Sequence, residues 1–150
     1  MDFFKKIRTG KLFHGKKEPN LVVEFILRDQ VYVVEEFDLE FKQDINQKNR
    51  PEGEPYGGVI TVTISDTPDD WIKHWMINAK ERNDGEFRFL LNEGRIESGA
   101  QLRILFKDAY CVNYYTVMDT QGAGLLTTLV ISPRVVHIGN EELENNWKYM

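Results

Sequence analysis

Three histidines, one cysteine and several close acidic pairs are the side chains in this sequence that could do acid–base, metal or thiol chemistry. Asp70 and His74 would lie one turn apart on a helix, a spacing that can orient an imidazole or hold a metal ion. An exposed helical pair of this kind is more often a weak surface interaction. His14 and His137 have no sequence neighbours at a metal-binding spacing. The pattern therefore favours neither a metal site nor a histidine-based catalytic site.

Cys111 and the acids between residues 35 and 40 also have plain structural interpretations. A catalytic thiol needs a nearby base and a lowered pKa, whereas Cys111 lies in an apolar, strand-like run and is expected to be a small buried side chain. Strand alternation would place Glu36, Asp38 and Glu40 on one solvated face and only Glu35 on the other. We therefore predict no catalytic residues, no metal site, no cofactor and no enzyme activity.

The length and composition exclude several other classes of protein. The 150-residue chain has the size of one domain, and 41% hydrophobic residues suffice for an ordinary core. Its net charge of −5 gives no general electrostatic reason to bind nucleic acid. One cysteine cannot form an intrachain disulfide, and no apolar run approaches the roughly 20 residues of a membrane span. We expect a chain that folds in the cytoplasm, with no signal peptide, nucleic-acid partner or membrane insertion.

The start of the sequence differs from the rest in charge and pattern. Residues 1–18 carry six basic side chains against two acidic ones. Five apolar residues are interleaved with them: Phe3, Phe4, Ile7, Leu12 and Phe13. This segment could be a solvated leader, or it could bind an acidic partner, a membrane surface or a partner subunit. We divide the chain into a basic N-terminal extension, residues 1–20, and a single domain, residues 21–150.

Alternation of apolar and polar residues predicts a mainly β protein. Leu21–Leu27 and the run from Val31 are separated by Arg28-Asp29-Gln30, which is a hairpin signal. From Val31 to Phe41 we expect the odd-numbered side chains to form the apolar face. The β-branched run Val59–Ser65 predicts another strand.

The second half of the chain adds one helix and a long hairpin. The spacing of Trp71, Ile72, Trp75, Met76 and Ala79 predicts a helix over about 67–81, with Thr67-Pro68-Asp69-Asp70 at its start. Gln101–Met118 is too long for a straight strand and should bend near Asp108. Pro133 should end the following strand or place it at an edge, although Val135–Ile138 could continue it. The fold class is a small antiparallel β-barrel or sandwich with one α-helix.

The segment from Gln43 to Tyr56 has two prolines, one glycine and almost no apolar side chain. It cannot contribute to a core and is interpreted as a long exposed loop. Unstructured loops of this length are uncommon in compact domains and are usually functional or disordered. We therefore expect a contact element here.

Three separated stretches resemble one known family. They are Gly57-Gly58-Val59-Ile60-Thr61-Val62, the run from Leu105 to Tyr114, and Ile138-Gly139-Asn140-Glu141 with Glu144-Asn145-Asn146-Trp147. In this order and spacing the sequence resembles the type VI secretion system tube protein, TssD, of the haemolysin-coregulated protein family. The resemblance covers about residues 21–147. Family members commonly begin almost directly at the first strand, so residues 1–20 are a departure from the pattern.

The resemblance implies a β-barrel with one helix that assembles into homohexameric rings, which stack into a tube. A contractile sheath would propel the tube behind a spike, and its lumen would carry effectors. The loop would reach a neighbouring subunit or ring, and the strand from Gly57 would help to form the ring wall. Candidate subunit-interface residues are Asn49, Arg50, Glu52, Glu54, Tyr56, Val59 and Thr61.

The leading hypothesis is thus a structural tube subunit that is exported through the apparatus without a signal peptide. A monomeric β-barrel that binds a small ligand or effector is the first alternative. An enzyme that uses His74 or His137 with nearby acids is the second.

Overall fold

A computed structural model describes residues 21–65, 67–91, 100–119, 121 and 124–147 of the chain. The N-terminal extension, residues 92–99 and most of the residues between Asp119 and Gly124 lie outside the described residues. The described elements are β1 Leu21–Leu27, β2 Gln30–Ile45, β3 Pro51–Ile64, α1 Asp70–Ile77, β4 Asn83–Leu91, β5 Ala100–Asp119, β6 Gly124–Ile138 and β7 Glu141–Glu144.

The seven strands form one antiparallel sheet in the order β3-β2-β1-β4-β5-β6-β7. A further pairing between β3 and β6 closes the first six strands into a barrel. The predicted fold class, a small antiparallel barrel with one helix, is confirmed. No helix among the described residues is long and apolar enough to cross a membrane.

The first hairpin forms as predicted, but its second strand presents a different face. Arg28 and Asp29 have φ of 49° and 64°, the two left-handed residues of a turn whose twist matches the strands. In β2 an extra residue at Glu35 shifts the register against β3. Before this bulge the even-numbered Tyr32 and Val34 are buried, while Val31 and Val33 are 53% and 50% exposed. The expected odd-numbered apolar face is therefore wrong before the bulge, because a bulge reverses the alternation.

Aromatic rings fill the interior of the barrel. Phe25 stacks on Phe87 at 4.7 Å between ring centroids, and Phe37 meets Phe87 and Phe89 edge-on at 4.8 and 5.1 Å. Phe106 completes the group, and all five rings are at most 1% exposed. Such ring pairs add stabilisation beyond the area that they bury.

The helix α1 is shorter than predicted and closes one end of the barrel. Ile72 and Trp75 are buried, and the Trp75 indole N–H donates to the carbonyl oxygen of Ala109 at 3.0 Å. Asp69, not Thr67, is the N-cap residue, and Ala79 lies beyond the last helical residue. The helix ends early because the Asn78 side chain and carbonyl accept N–H bonds from Lys80 and Glu81, which turn the chain toward β4.

The two long strands contain the irregularities expected of them. Asp108 has a φ of 51° and lies at a bulge in β5 against β4, so the predicted bend is confirmed. Pro133 does not end β6, which continues to Ile138. Instead, it lies between the part of β6 that pairs with β3, ending at Ile131, and the part that pairs with β7, from Val135. A residue without an N–H is tolerated at this change of partner.

Candidate functional site

The ends of β2 and β3 project beyond the barrel as a two-stranded hairpin, which we call the arm and define as Phe41–Gly57. Its strands pair Lys42 with Tyr56 and Ile45 with Pro51, at the end of the barrel opposite α1. The arm from residue 41 to 56 is exposed throughout, as predicted, but the expected absence of secondary structure is wrong. Hydrogen bonds between the backbones of its two strands hold the arm together, and these bonds need no apolar side chains.

One asparagine organises the tip of the arm. The Asn46 side-chain oxygen accepts N–H bonds from Lys48 at 2.9 Å and Arg50 at 3.1 Å. The backbone of Asn46 also bonds to Asn49 and Arg50, and Asn49 takes a left-handed φ of 63°. Asparagine tolerates this conformation better than most residues do. The tip is therefore a defined turn.

The predicted interface residues fall on two adjoining surfaces. Asn49 and Arg50 lie at the tip of the arm, and Glu52, Glu54 and Tyr56 lie along its β3 strand, all exposed. Val59 and Thr61 lie in the barrel wall, where they alternate with the fully buried Ile60 and Val62. They therefore face outward, on the same strand as the arm.

Tyr56 connects the two strands of the arm. Its hydroxyl donates to an Asp44 carboxylate oxygen at 3.1 Å. This hydrogen bond, reinforced by the negative charge of Asp44, raises the pKa of Tyr56 above its ordinary value. The phenol therefore remains a neutral donor at physiological pH.

Two glycines form the root of the arm. Gly57 and Gly58 have φ of 112° and 74°, a region that side chains disfavour. A Cβ at Gly57 would lie 2.9 Å from the Glu40 carbonyl oxygen, and one at Gly58 would lie 2.8 Å from Cγ2 of Val136. The glycine pair therefore allows β3 to turn from the arm into the tightly packed barrel wall.

Asn145 joins the root of the arm to the C-terminal segment. Its amide accepts from the Gly57 N–H at 3.0 Å and donates to the Gly57 carbonyl oxygen at 2.8 Å. The same amide nitrogen donates to the Pro133 carbonyl oxygen at 2.9 Å, and the Asn145 N–H donates to the Arg134 carbonyl oxygen at 2.7 Å. One residue thus bonds to both β3 and β6 where the two strands separate.

Arg134 connects the same region to the bulge in β5. Its guanidinium donates to Asp108 at 2.8 and 3.0 Å and to Glu144 at 2.7 Å. These carboxylates, Asp108 first, raise the pKa of Arg134 further above its ordinary value. The Trp147 ring packs on Tyr110 at 5.2 Å between centroids. The three sequence stretches therefore meet in one network.

A surface groove of about 340 Å³ lies between the arm root and the C-terminal segment. Its lining comes from both segments and from β6: Glu54, Pro55, Tyr56, Gly57, Val59, Ser132, Glu144, Asn145, Asn146 and Trp147. Three of the predicted interface residues, Glu54, Tyr56 and Val59, line it. The groove is thus bounded by the network and by the candidate contact strand.

A second candidate surface was not predicted from the sequence. Among the described residues, the pairing of β4 with β5 does not continue past Ala109, so the rest of β5 pairs only with β6. This open part carries four apolar side chains that are 49–72% exposed: Val112, Tyr115, Val117 and Met118. The sequence does contain a signal for this surface. Apolar residues occupy both odd and even positions in this part of β5, whereas apolar and polar residues alternate in a strand with one solvated face.

The residues first considered for chemistry are separated in the structure. His74 lies 3.5 Å from Glu81, whereas Asp70 pairs with Lys73 at 3.7 Å. His137 lies 3.5 Å from Glu142 on β7. Burial raises the pKa of the Cys111 thiol to about 11, which opposes thiolate chemistry. Within the described ranges, no three His, Cys, Asp or Glu side chains are placed to hold a metal ion.

Comparison with solved structures identifies the fold. Hcp1 from Flavobacterium johnsoniae superposes with a TM-score of 0.75 at 25% identity, covering 83% of this chain and 99% of that chain. Hcp1 from Salmonella typhimurium gives a TM-score of 0.63 at 8% identity, covering 78% and 84%. The sheath/tube terminator of an extracellular contractile injection system, PVC, gives 0.54 at 14% identity, covering 79% and 92%.

Comparison by sequence leads to the same assignment. No curated protein matches the chain. The profile of the family described as Hemolysin coregulated protein Hcp (TssD) matches residues 19–148, which include every described element. The resemblance noted in three short stretches therefore extends over the whole barrel and arm, and the chain belongs to the Hcp (TssD) family.

Proposed function

We propose that this chain is a structural subunit of a type VI secretion system inner tube, which forms homohexameric rings that stack inside a contractile sheath. The observation that carries the proposal is the family match over residues 19–148. Similarity to a tube terminator of a contractile injection system supports it at the level of fold.

Two features of the described surface favour self-assembly. The open part of β5 exposes apolar side chains along an unpaired strand edge, which is a template for pairing with another chain. The arm projects from a different part of the barrel and carries Glu52, Glu54 and Tyr56. Two different surfaces on one chain can form a heterologous contact, and a repeated heterologous contact closes into a ring when its rotation permits.

In this proposal the partners are other copies of the chain, the spike and sheath proteins, and effector cargo, with no nucleic acid, cofactor or catalytic residue. Residues 21–150 form a single barrel domain, and residues 1–20 are an added extension. The subunit folds in the cytoplasm and is exported through the apparatus. The alternative of a ligand held inside a monomeric barrel is disfavoured by the five phenylalanine rings that occupy the interior.

Charge reversal on the arm tests the interface. The double substitution Glu52→Lys with Glu54→Lys should raise the protein concentration needed for assembly at least tenfold. The reason is that the two exposed carboxylates become cations at the proposed contact. Thermal unfolding of the monomer should change little, since surface substitutions usually alter stability by less than about 0.5 kcal/mol. Asp29→Lys with Asp70→Lys, exposed at the opposite end of the barrel, is the matched control for charge.

Assembly is measured by size-exclusion chromatography with light scattering and by negative-stain microscopy. Rings about 80–90 Å wide are expected for six compact domains around a pore. A monomer at high concentration, with no rings, would count against the proposal. Equal loss of assembly in the two charge-reversed variants would remove the arm from the interface.

A further inference from the structure

The arm leaves the barrel at a point where its backbone can bend. The register of β2 against β3 shifts between Glu40 and Phe41, and Gly57, which pairs with Phe41, has a positive φ. Bulges and glycines are common where a strand changes direction. The next residue, Gly58, is packed tightly into the barrel wall, since a Cβ there would lie 2.8 Å from Val136. The bend therefore lies at Gly57, between a fixed wall and an exposed arm.

Few contacts tie the arm to the rest of the barrel. Among the described residues, β3 pairs with β6 only over Ile60–Ile64, and β2 pairs with β1 only over Gln30–Val33. Both of these pairings end before the arm begins. Within the same described ranges, the hydrogen bonds from the arm to residues outside its own two strands both involve Asn145. The surface groove lies beside this point, so side chains do not fill the space between the arm root and the C-terminal segment.

The side chain of Asn145 takes the place of a strand partner for Gly57. The ladder between β3 and β6 ends with Ile60 opposite Ile131, and two residues further along β6 Pro133 has no N–H to donate. The Asn145 amide accepts from the Gly57 N–H at 3.0 Å and donates to the Gly57 carbonyl oxygen at 2.8 Å. Paired residues of an antiparallel sheet exchange the same two kinds of bond. One side chain thus extends the bonding of β3 to the point of the bend.

The segment that carries Asn145 is itself fixed to the barrel. We call this segment, Glu141–Trp147, the strap. Its strand β7 pairs with the end of β6, and the Glu144 carboxylate accepts from the Arg134 guanidinium at 2.7 Å. The Trp147 ring packs on an aromatic ring of β5 at 5.2 Å between centroids. These contacts do not involve the arm, so they hold the strap in place independently of it.

We infer that Asn145 is a positioning residue, through which the strap sets the direction of the arm relative to the barrel. Loss of its bonds to Gly57 leaves the pairing inside the arm and the five phenylalanine rings of the core in place. The arm then persists as a hairpin but points in a wider range of directions. The consequence for assembly rests on the proposed function: an arm that is not preorganised must be ordered on contact, so assembly requires a higher concentration.

Distances between spin labels test the direction of the arm by pulsed electron paramagnetic resonance. The background is Cys111→Ser, so that only introduced cysteines are labelled. One label is placed at the tip, Gln47→Cys, and the other at Val31→Cys or Lys80→Cys, all of them exposed. In the monomer, Asn145→Ala should at least double the width of the distance distribution for one or both pairs. Asn145→Asp keeps the size and the acceptor but loses the donated bonds, so it should broaden the distribution less.

Two controls separate positioning from a general loss of stability. Asn83→Ala removes an amide at the start of β4 that bonds to Arg28 and Glu81. Asn146→Ala changes the exposed neighbour of Asn145. Both controls should keep the distribution of the parent chain. An unchanged width in both Asn145 variants, or equal broadening in Asn83→Ala, would overturn the inference.

Assembly provides a second measurement, by light scattering over a concentration series. Asn145→Ala should raise the concentration needed for assembly at least fivefold, whereas Asn83→Ala should leave it within twofold. Equal shifts in the two variants would overturn the link between the direction of the arm and assembly. If the parent chain itself does not assemble, the proposed function fails, but the distances within the monomer still decide whether Asn145 positions the arm.

Discussion

The side chain of Asn145 links the C-terminal segment to the root of the arm. Its amide bonds to both backbone groups of Gly57 and to the Pro133 carbonyl oxygen. The sequence places it in a stretch that resembles the family, beside a second asparagine, Asn146. The sequence could not tell which of the two is bonded, because that depends on which side chain faces the gap between β3 and β6.

Removal of this amide should destabilise the chain. Asn145→Ala leaves the partly buried Gly57 groups without partners, so the free energy of unfolding should fall by about 2 kcal/mol. The exposed neighbour provides the control, since Asn146→Ala should change it by less than about 0.5 kcal/mol. Urea denaturation at concentrations where the chain is monomeric measures both. Similar midpoints for the two variants would contradict the assigned role.

Glu86 is the carboxylate whose contacts make it sensitive to pH. It accepts from Arg103 and from Arg88 on the outer face of the barrel. The Arg103 hydrogen bond, with a smaller contribution from Arg88, holds the pKa of Glu86 below its ordinary value although partial burial opposes this. The sequence alone does not show that Glu86, Arg88 and Arg103 are neighbours, because this depends on the register of β4 against β5.

This arrangement predicts a loss of stability in acid. Because the folded pKa is lowered, the stabilisation is present above the ordinary value of about 4.3 and is lost as the pH falls through the folded value. Glu86→Gln should lower the free energy of unfolding by about 0.5–1 kcal/mol at pH 7, since both arginines are about half exposed. The difference from the parent chain should shrink as the pH falls through the folded pKa of Glu86. Urea titrations at a series of pH values from 7 downward measure it, and a constant difference would contradict the assignment.

At the scale of elements, the local signals in the sequence predict strands better than they predict faces. The β1–β2 hairpin, the bulge at Asp108 and the helix all follow from spacing and residue type. The reversal of alternation at Glu35 does not, because a bulge depends on the partner strand. The arm was predicted as a loop for a related reason: it has no core face, so its pairing leaves no hydrophobic pattern.

Substitutions at two glycines of β3 can distinguish the cost of backbone strain from the cost of steric overlap. Gly53 and Gly58 both have left-handed φ, of 84° and 74°. A Cβ at Gly53 meets no atom within 4 Å, whereas one at Gly58 meets the buried Val136 at 2.8 Å. Gly58→Ala should therefore lower the free energy of unfolding by about 1–3 kcal/mol more than Gly53→Ala does, through overpacking at the arm root. Urea unfolding compares them, and equal losses would show that strain alone matters at Gly58.

At the scale of the whole molecule, the barrel, the arm and the open edge of β5 lie on one continuous sheet. The core of five phenylalanine rings stabilises the barrel, while exposed apolar side chains concentrate on β5 and the arm. Composition predicted a core of this kind, but it could not predict which strand edge remains open. That feature arises because β4 is shorter than β5.

Substitution on the β5 edge should separate assembly from folding. Tyr115→Lys with Val117→Lys introduces two cations on side chains that are 49% and 53% exposed, so ring formation should require at least tenfold higher concentration. Val31→Lys with Val33→Lys changes side chains of matching exposure on the outer face of β2 and should leave assembly unchanged. Light scattering over a concentration series measures both variants. If the second pair impairs assembly as much as the first, the β5 edge has no special role.

The bond between Asn145 and Gly57 joins residues 88 positions apart, so it also sets an order of events during synthesis. Ribosomes release the chain from its N-terminus, and contacts between distant residues form late in folding. The arm is complete in sequence when residue 57 has emerged, but its root acquires its last partners only after residue 145 follows. An unfinished chain therefore carries an arm whose root still lacks its C-terminal hydrogen-bond partner.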